Sequence, residues 1–164
     1  NASLLVDAVE KLHDKGITNF KITVIGKGSL SNVPRKIRKY FDIKGRLCFG
    51  EMYKEMENAD FFLPLLDVEN PQHEDMITTK TSGSFQLIYG FLTPAIMAEK
   101  FAPVNGYTDE NSILHKTNSD LADAMEKGIV MSKSEYKTMQ NKLSEYTNEL
   151  YNRSLENMRR LINE

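Results

Sequence analysis

The sequence has no tryptophan, a single cysteine and only five prolines in 164 residues. One cysteine, Cys48, excludes a disulfide framework and a cluster of thiolate metal ligands, and a chain without disulfides fits a reducing, cytoplasmic setting. Excess charge of either sign is missing as well: 21 Lys and Arg stand against 23 Asp and Glu, a formal net charge of -2. That balance speaks against a protein that gathers nucleic acid or a membrane surface electrostatically, so partners must be recognised by the geometry of a site. Long apolar runs are absent too. The longest, Phe61 to Leu66, is interrupted by Pro64, whereas a membrane-spanning helix needs roughly 20 apolar residues.

What is present is an ordinary globular composition, 40% hydrophobic and 27% charged, sufficient for one core and one domain. Asn1-Ala2 reads as the remnant of a cleaved tag, which leaves residues 3–164 as the native segment. Leu4, Leu5, Ala8, Val9 and Leu12 form the buried stripe of an amphipathic helix capped by Ser3. A helix that buries one face normally follows an element it packs against, and the expectation is a fragment of a larger protein.

Behind this helix, Phe20 to Ile25 alternates apolar and polar residues and reads as a strand ending in Gly26-Lys27-Gly28. Val33, Ile37, Tyr40 and Phe41 recur at helical spacing behind Pro34, and Leu47 to Phe49 reads as a second strand. A short helix over 51–58 leads to Asp60 to Leu65, an apolar run of the kind covered on both faces of a sheet. A loop over 66–80, a helix opened by Thr81 to Ser84 and a strand over 95–98 follow. From Asn118 the pattern is helical, with a break at Gly128 and a closing helix marked by Tyr136, Met139, Leu143, Tyr146 and Leu150. Its continuation through Leu155, Met158, Leu161 and Ile162 fits either an outer-layer helix or an arm packed on a neighbour. Strands alternating with helices at this spacing predict an α/β fold, a Rossmann-like parallel sheet with helices on both faces.

In such a sheet ligands bind beyond the carboxyl ends of the strands. Gly26-Lys27-Gly28-Ser29 lacks the third glycine of a dinucleotide fingerprint and the Gly-Lys-Ser ending of a P-loop, so it fits both a ligand-approaching turn and a plain strand-to-helix turn. Thr78 to Ser84 says more. It sets hydroxyls, Gly83 and Lys80 at a predicted helix start, where unpaired N–H groups and the helix dipole favour an anion such as a diphosphate. Capping alone would need one hydroxyl. The preceding loop, holding Asp67, Glu69, His73, Glu74 and Asp75, is longer than a compact domain keeps without function or disorder. His13, His73 and His115 have no spacing that suggests a metal site, and His13, on the polar face of the first helix, is expected in solvent.

The order of these signals resembles the C-terminal, donor-binding domain of group 1 GT-B glycosyltransferases, over nearly the whole chain. The resemblance rests on the Leu4 to Leu12 helix, the strand and turn Val24-Ile25-Gly26-Lys27-Gly28, Cys48-Phe49-Gly50, and above all Ala59-Asp60-Phe61-Phe62-Leu63-Pro64-Leu65. It continues through Thr81-Ser82-Gly83-Ser84 to Thr93-Pro94-Ala95-Ile96 and the long closing helix. Many members carry a pair of glutamates in the region of 81–95. No acid stands there in this chain, where Gln86 and Tyr89 occupy the neighbourhood.

The resemblance implies half of a glycosyltransferase, a domain that holds a nucleotide-sugar donor as substrate, with no further cofactor and no metal. Lys80, Thr81, Ser82, Gly83 and Ser84 would surround the diphosphate. Gly26, Gly28, Phe49, Gly50 and Gln86 would meet the nucleotide or the sugar. The acceptor, a glycan or another molecule, and the catalytic residues would belong to an N-terminal domain outside these residues, and the 164-residue piece alone would transfer no sugar. Two rivals are one half of a nucleotide-sugar epimerase and a non-catalytic Rossmann-like interaction module.

Overall fold

The computed structural model describes residues 2–26, 33–78, 80 and 83–163. Among them the fold is α/β, with six α-helices and two parallel two-stranded ladders. Helix α1 (Ala2–Asp14) buries Leu5, Ala8, Val9 and Leu12, the stripe read from their spacing, although Ser3 lies inside its first turn instead of before it. Strand β1 (Ile22–Ile25) runs parallel to β2 (Phe41–Gly45), with Ile22 opposite Phe41.

Two expectations fail around β2. Residues 33–40 form turns and a single 3₁₀ turn instead of a helix, and Phe41 starts a strand. The run Leu47 to Phe49 is not a strand. Cys48 precedes helix α2 (Phe49–Glu57), and its backbone N–H donates to the Glu51 carboxylate at 3.2 Å, which fixes the helix start locally. Phe49 is 74% exposed, so this apolar run has no sheet to join.

Strand β3 (Ala95–Ala98) is fully buried and runs parallel to β4 (Ser112–His115). The run from Asp60 to Leu65, expected as a strand, is not one: it meets β3 in parallel through a single bridge, Phe62 to Ala95. Pro64 has no N–H to extend the ladder and Leu65 turns away at φ 52°. Side chains still alternate across this layer. Phe61, Leu63, Ile96 and Ile113 face a core shared with α1 and α5 (Leu121–Val130), while Phe62, Met97 and Leu114 face one shared with α4 (Gly83–Phe91) and α6 (Lys133–Asn163). Helices thus cover both faces.

Gly128 does not break α5. It lets the helix lie close on the strands, since a Cβ there would sit 3.2 Å from the Phe61 ring and 3.3 Å from Ile96. Helix α6 spans 31 residues, about 46 Å at 1.5 Å per residue. Its first half is an outer-layer helix, with Met139 and Leu143 buried and Tyr146 and Leu150 packed on the second core. Its second half leaves Tyr151, Met158, Leu161 and Ile162 exposed. No helix among the described residues is long and apolar enough to cross a membrane.

Candidate functional site

Each parallel pair has one carboxyl edge, and the chain turns there into the elements that carry the expected ligand residues. Gly26 leaves β1 at φ 133°, a conformation that side chains rarely adopt, and its N–H donates to the Gly45 carbonyl at 2.8 Å. That amide is therefore committed to the sheet edge. Gly28 lies outside the described residues.

Phe49 and Gly50 form the first turn of α2, beyond the carboxyl end of β2, so their amides lack partners within the helix. The Phe49 ring lies 6.1 Å from Tyr53, and Tyr53 lies 5.3 Å from Phe91 of α4, an aromatic series that sets α2 beside α4. Glu51 at the same helix start is a carboxylate that any anion bound there would have to tolerate.

The 66–80 loop leaves the carboxyl end of the Phe61 run, and its short helix α3 (Asp75–Thr78) packs against residues 99–101, just beyond the carboxyl end of β3. Lys80 closes this loop with both ends on Asp75: its N–H donates to the Asp75 carbonyl at 2.8 Å and its Nζ pairs with the carboxylate at 2.6 Å. The lysine faces solvent, so this pair is exchangeable for a stronger anion. Thr81 and Ser82 lie outside the described residues. Gly83 opens α4, with nothing within 4 Å of where a Cβ would stand. Ser84 is half-buried, and Gln86 lies exposed one turn into the helix. Gly83, Ser84 and Gln86 thus share one helix start. Lys80 is held on Asp75 at the end of the preceding loop, and Phe49 and Gly50 belong to the neighbouring helix.

A second set of polar groups lies at the carboxyl edge; the sequence points to Asp67 and His73 only as members of a long loop, and to Asn118 and His115 not at all as site residues. Asp67, only 8% exposed, accepts from the Asn118 amide at 2.7 Å and from the Glu69 N–H at 3.0 Å, while its own N–H donates to His73 Nδ1 at 2.9 Å. His115, also 8% exposed, ends β4, and its Nδ1–H donates to the Thr117 carbonyl at 2.9 Å. Burial holds the His115 imidazolium below its ordinary range, the Thr117 carbonyl and the Asp120 carboxylate acting weakly the other way. The legible signal was positional: Asp67 directly follows an apolar run and His115 closes another, the two places where a parallel sheet presents side chains at its carboxyl edge. His13 also departs from expectation, being half-buried with Nδ1 2.9 Å from the Tyr40 hydroxyl.

Among the described residues no three His, Cys, Asp or Glu side chains are grouped to hold a metal ion. Cys48 is an exposed free thiol. No family model and no curated protein matches the chain.

Proposed function

We propose that this domain binds a nucleotide-sugar donor, as the C-terminal half of a GT-B glycosyltransferase with a Rossmann-like sheet. The acceptor would be presented by a partner domain. The observation that carries the reading is the start of α4: an exposed glycine with open space above it, followed by a serine, with Lys80 three residues earlier paired to the solvent-facing carboxylate of Asp75. A helix N-terminus with those neighbours suits a diphosphate, because its amides and dipole favour negative charge and the glycine lets a phosphate approach the backbone. Such a site would stabilise the leaving diphosphate as the glycosidic bond breaks. Gln86, Phe49, Gly50 and Gly26 would then face the sugar and nucleoside. Calorimetric titration tests this. A nucleoside diphosphate should bind in preference to its nucleoside, and Gly83→Val, whose side chain enters free space in the fold, should weaken that binding while the melting temperature stays near wild type. Equal affinity for the nucleoside, or unchanged affinity in Gly83→Val, would contradict it.

A further inference from the structure

The His115 ring closes β4 and is only 8% exposed. Its Nδ1 lies 2.9 Å from a carbonyl oxygen, which can only accept, so Nδ1 carries the proton. Burial opposes a second proton, so the neutral ring presents Nε2 as a lone-pair acceptor. Among the described residues Nε2 has no hydrogen-bond partner. The one side-chain polar atom there that is both sealed from solvent and unpartnered is the Tyr107 hydroxyl, so Nε2 is not sealed.

His115 borders two spaces. One is a cavity of about 10 Å³ at the carboxyl edge, which it lines with Leu65, Ala98 and Asn118; the other is an open groove of about 310 Å³ between β4 and α5. The cavity holds about one oxygen atom. An acceptor in a half-apolar site seeks a donor, and burial disfavours a cation, so a single oxygen bearing a hydrogen is the complementary group. Leu65, in a left-handed conformation that non-glycine residues seldom adopt, stands on the same wall.

We propose that His115 forms a hydroxyl-binding subsite at the carboxyl edge of β3 and β4, its Nε2 accepting a hydrogen bond from a ribose or sugar hydroxyl of the ligand. The subsite rests on the donor-binding reading above and adds a specificity-determining residue to it. Asn118, held by the Asp67 carboxylate, keeps the cavity wall in place.

Histidine side-chain ¹⁵N spectra of the whole chain test the proposal. In the free protein His115 should show a protonated Nδ1 and an unprotonated Nε2, and Nε2 should shift when uridine, guanosine or adenosine diphosphate hexoses are added. A shift already produced by the nucleosides assigns the hydroxyl to ribose; one that needs the hexose assigns it to the sugar. His115→Phe should weaken binding of the responding probe about tenfold, the size of one lost hydrogen bond. His115→Gln, which can place an amide oxygen near the Nε2 position, should restore most of it. A protonated Nε2 overturns the subsite. So does an Nε2 that stays still while the Gly83 and Ser84 amides move, a result that leaves the donor-binding reading intact. Silence of both overturns both.

Discussion

A Cβ at Gly106 would lie 1.9 Å from Cζ of Tyr146, and the backbone there stands at φ 69°. The glycine is therefore held twice, by its conformation and by the ring from α6 that rests on it. Gly106→Ala should destabilise the protein by roughly 2–4 kcal/mol in urea unfolding, combining a strained backbone with overpacking. Around it Tyr89 stacks on Tyr107 with centroids 5.4 Å apart, and the Tyr89 hydroxyl donates to the Asn105 carbonyl. Burial raises both phenols, Tyr89 to about 12, so these rings stay neutral throughout the physiological range. His115 should give the fold a pH dependence near neutrality. Its folded-state pKa is lowered from 6.5, so the unfolded chain takes up the proton first. The stability it confers is complete above about pH 6.5 and declines as the pH falls toward the folded value. Urea midpoints should therefore fall on acidification from pH 7 to pH 5.5, and His115→Gln should flatten that slope. An equal slope in the variant would place the titration elsewhere.

At the scale of elements, α6 divides into a half that packs and a half that does not. Leu143 is fully buried, and Leu143→Ala should cost about 2–5 kcal/mol. Leu161 is 76% exposed, and Leu161→Ala should stay within about 0.5 kcal/mol of wild type by thermal unfolding. The same contrast shows why some elements were legible in the sequence. α1 and the first half of α6 carry apolar residues at the helical period, so each stripe in the sequence is a buried stripe in the fold, and β3 is a short continuous apolar run buried throughout. β2 was not legible because Phe41-Asp42-Ile43-Lys44-Gly45 has Ile43 nearly half exposed at a ladder edge, and only pairing with β1 makes it a strand. β4 has two apolar residues, too few for any period, and its burial comes from its neighbours on both faces. At the site, the hydroxyl-rich helix start was visible as composition. The Asp67, Asn118 and His115 arrangement joins residues some fifty positions apart, which no local pattern can report.

For the whole molecule, the parallel pair β3 and β4 lies under helices on both faces, which leaves the turns at its carboxyl edge as the natural ligand surface, and the open glycine at the start of α4 follows the loop that leaves the neighbouring Phe61 run. The exposed apolar residues at the end of α6 stand apart from that surface in sequence. Donor binding is the central claim, and backbone amide NMR during titration with a nucleoside diphosphate hexose tests it most directly. The amides of Gly83, Ser84 and Phe85 should shift first and saturate together, followed by Gly50 and Gly26, with the nucleoside alone leaving the α4 start unmoved. Shifts confined to other surfaces, or an α4 start that answers equally to the nucleoside, would contradict it.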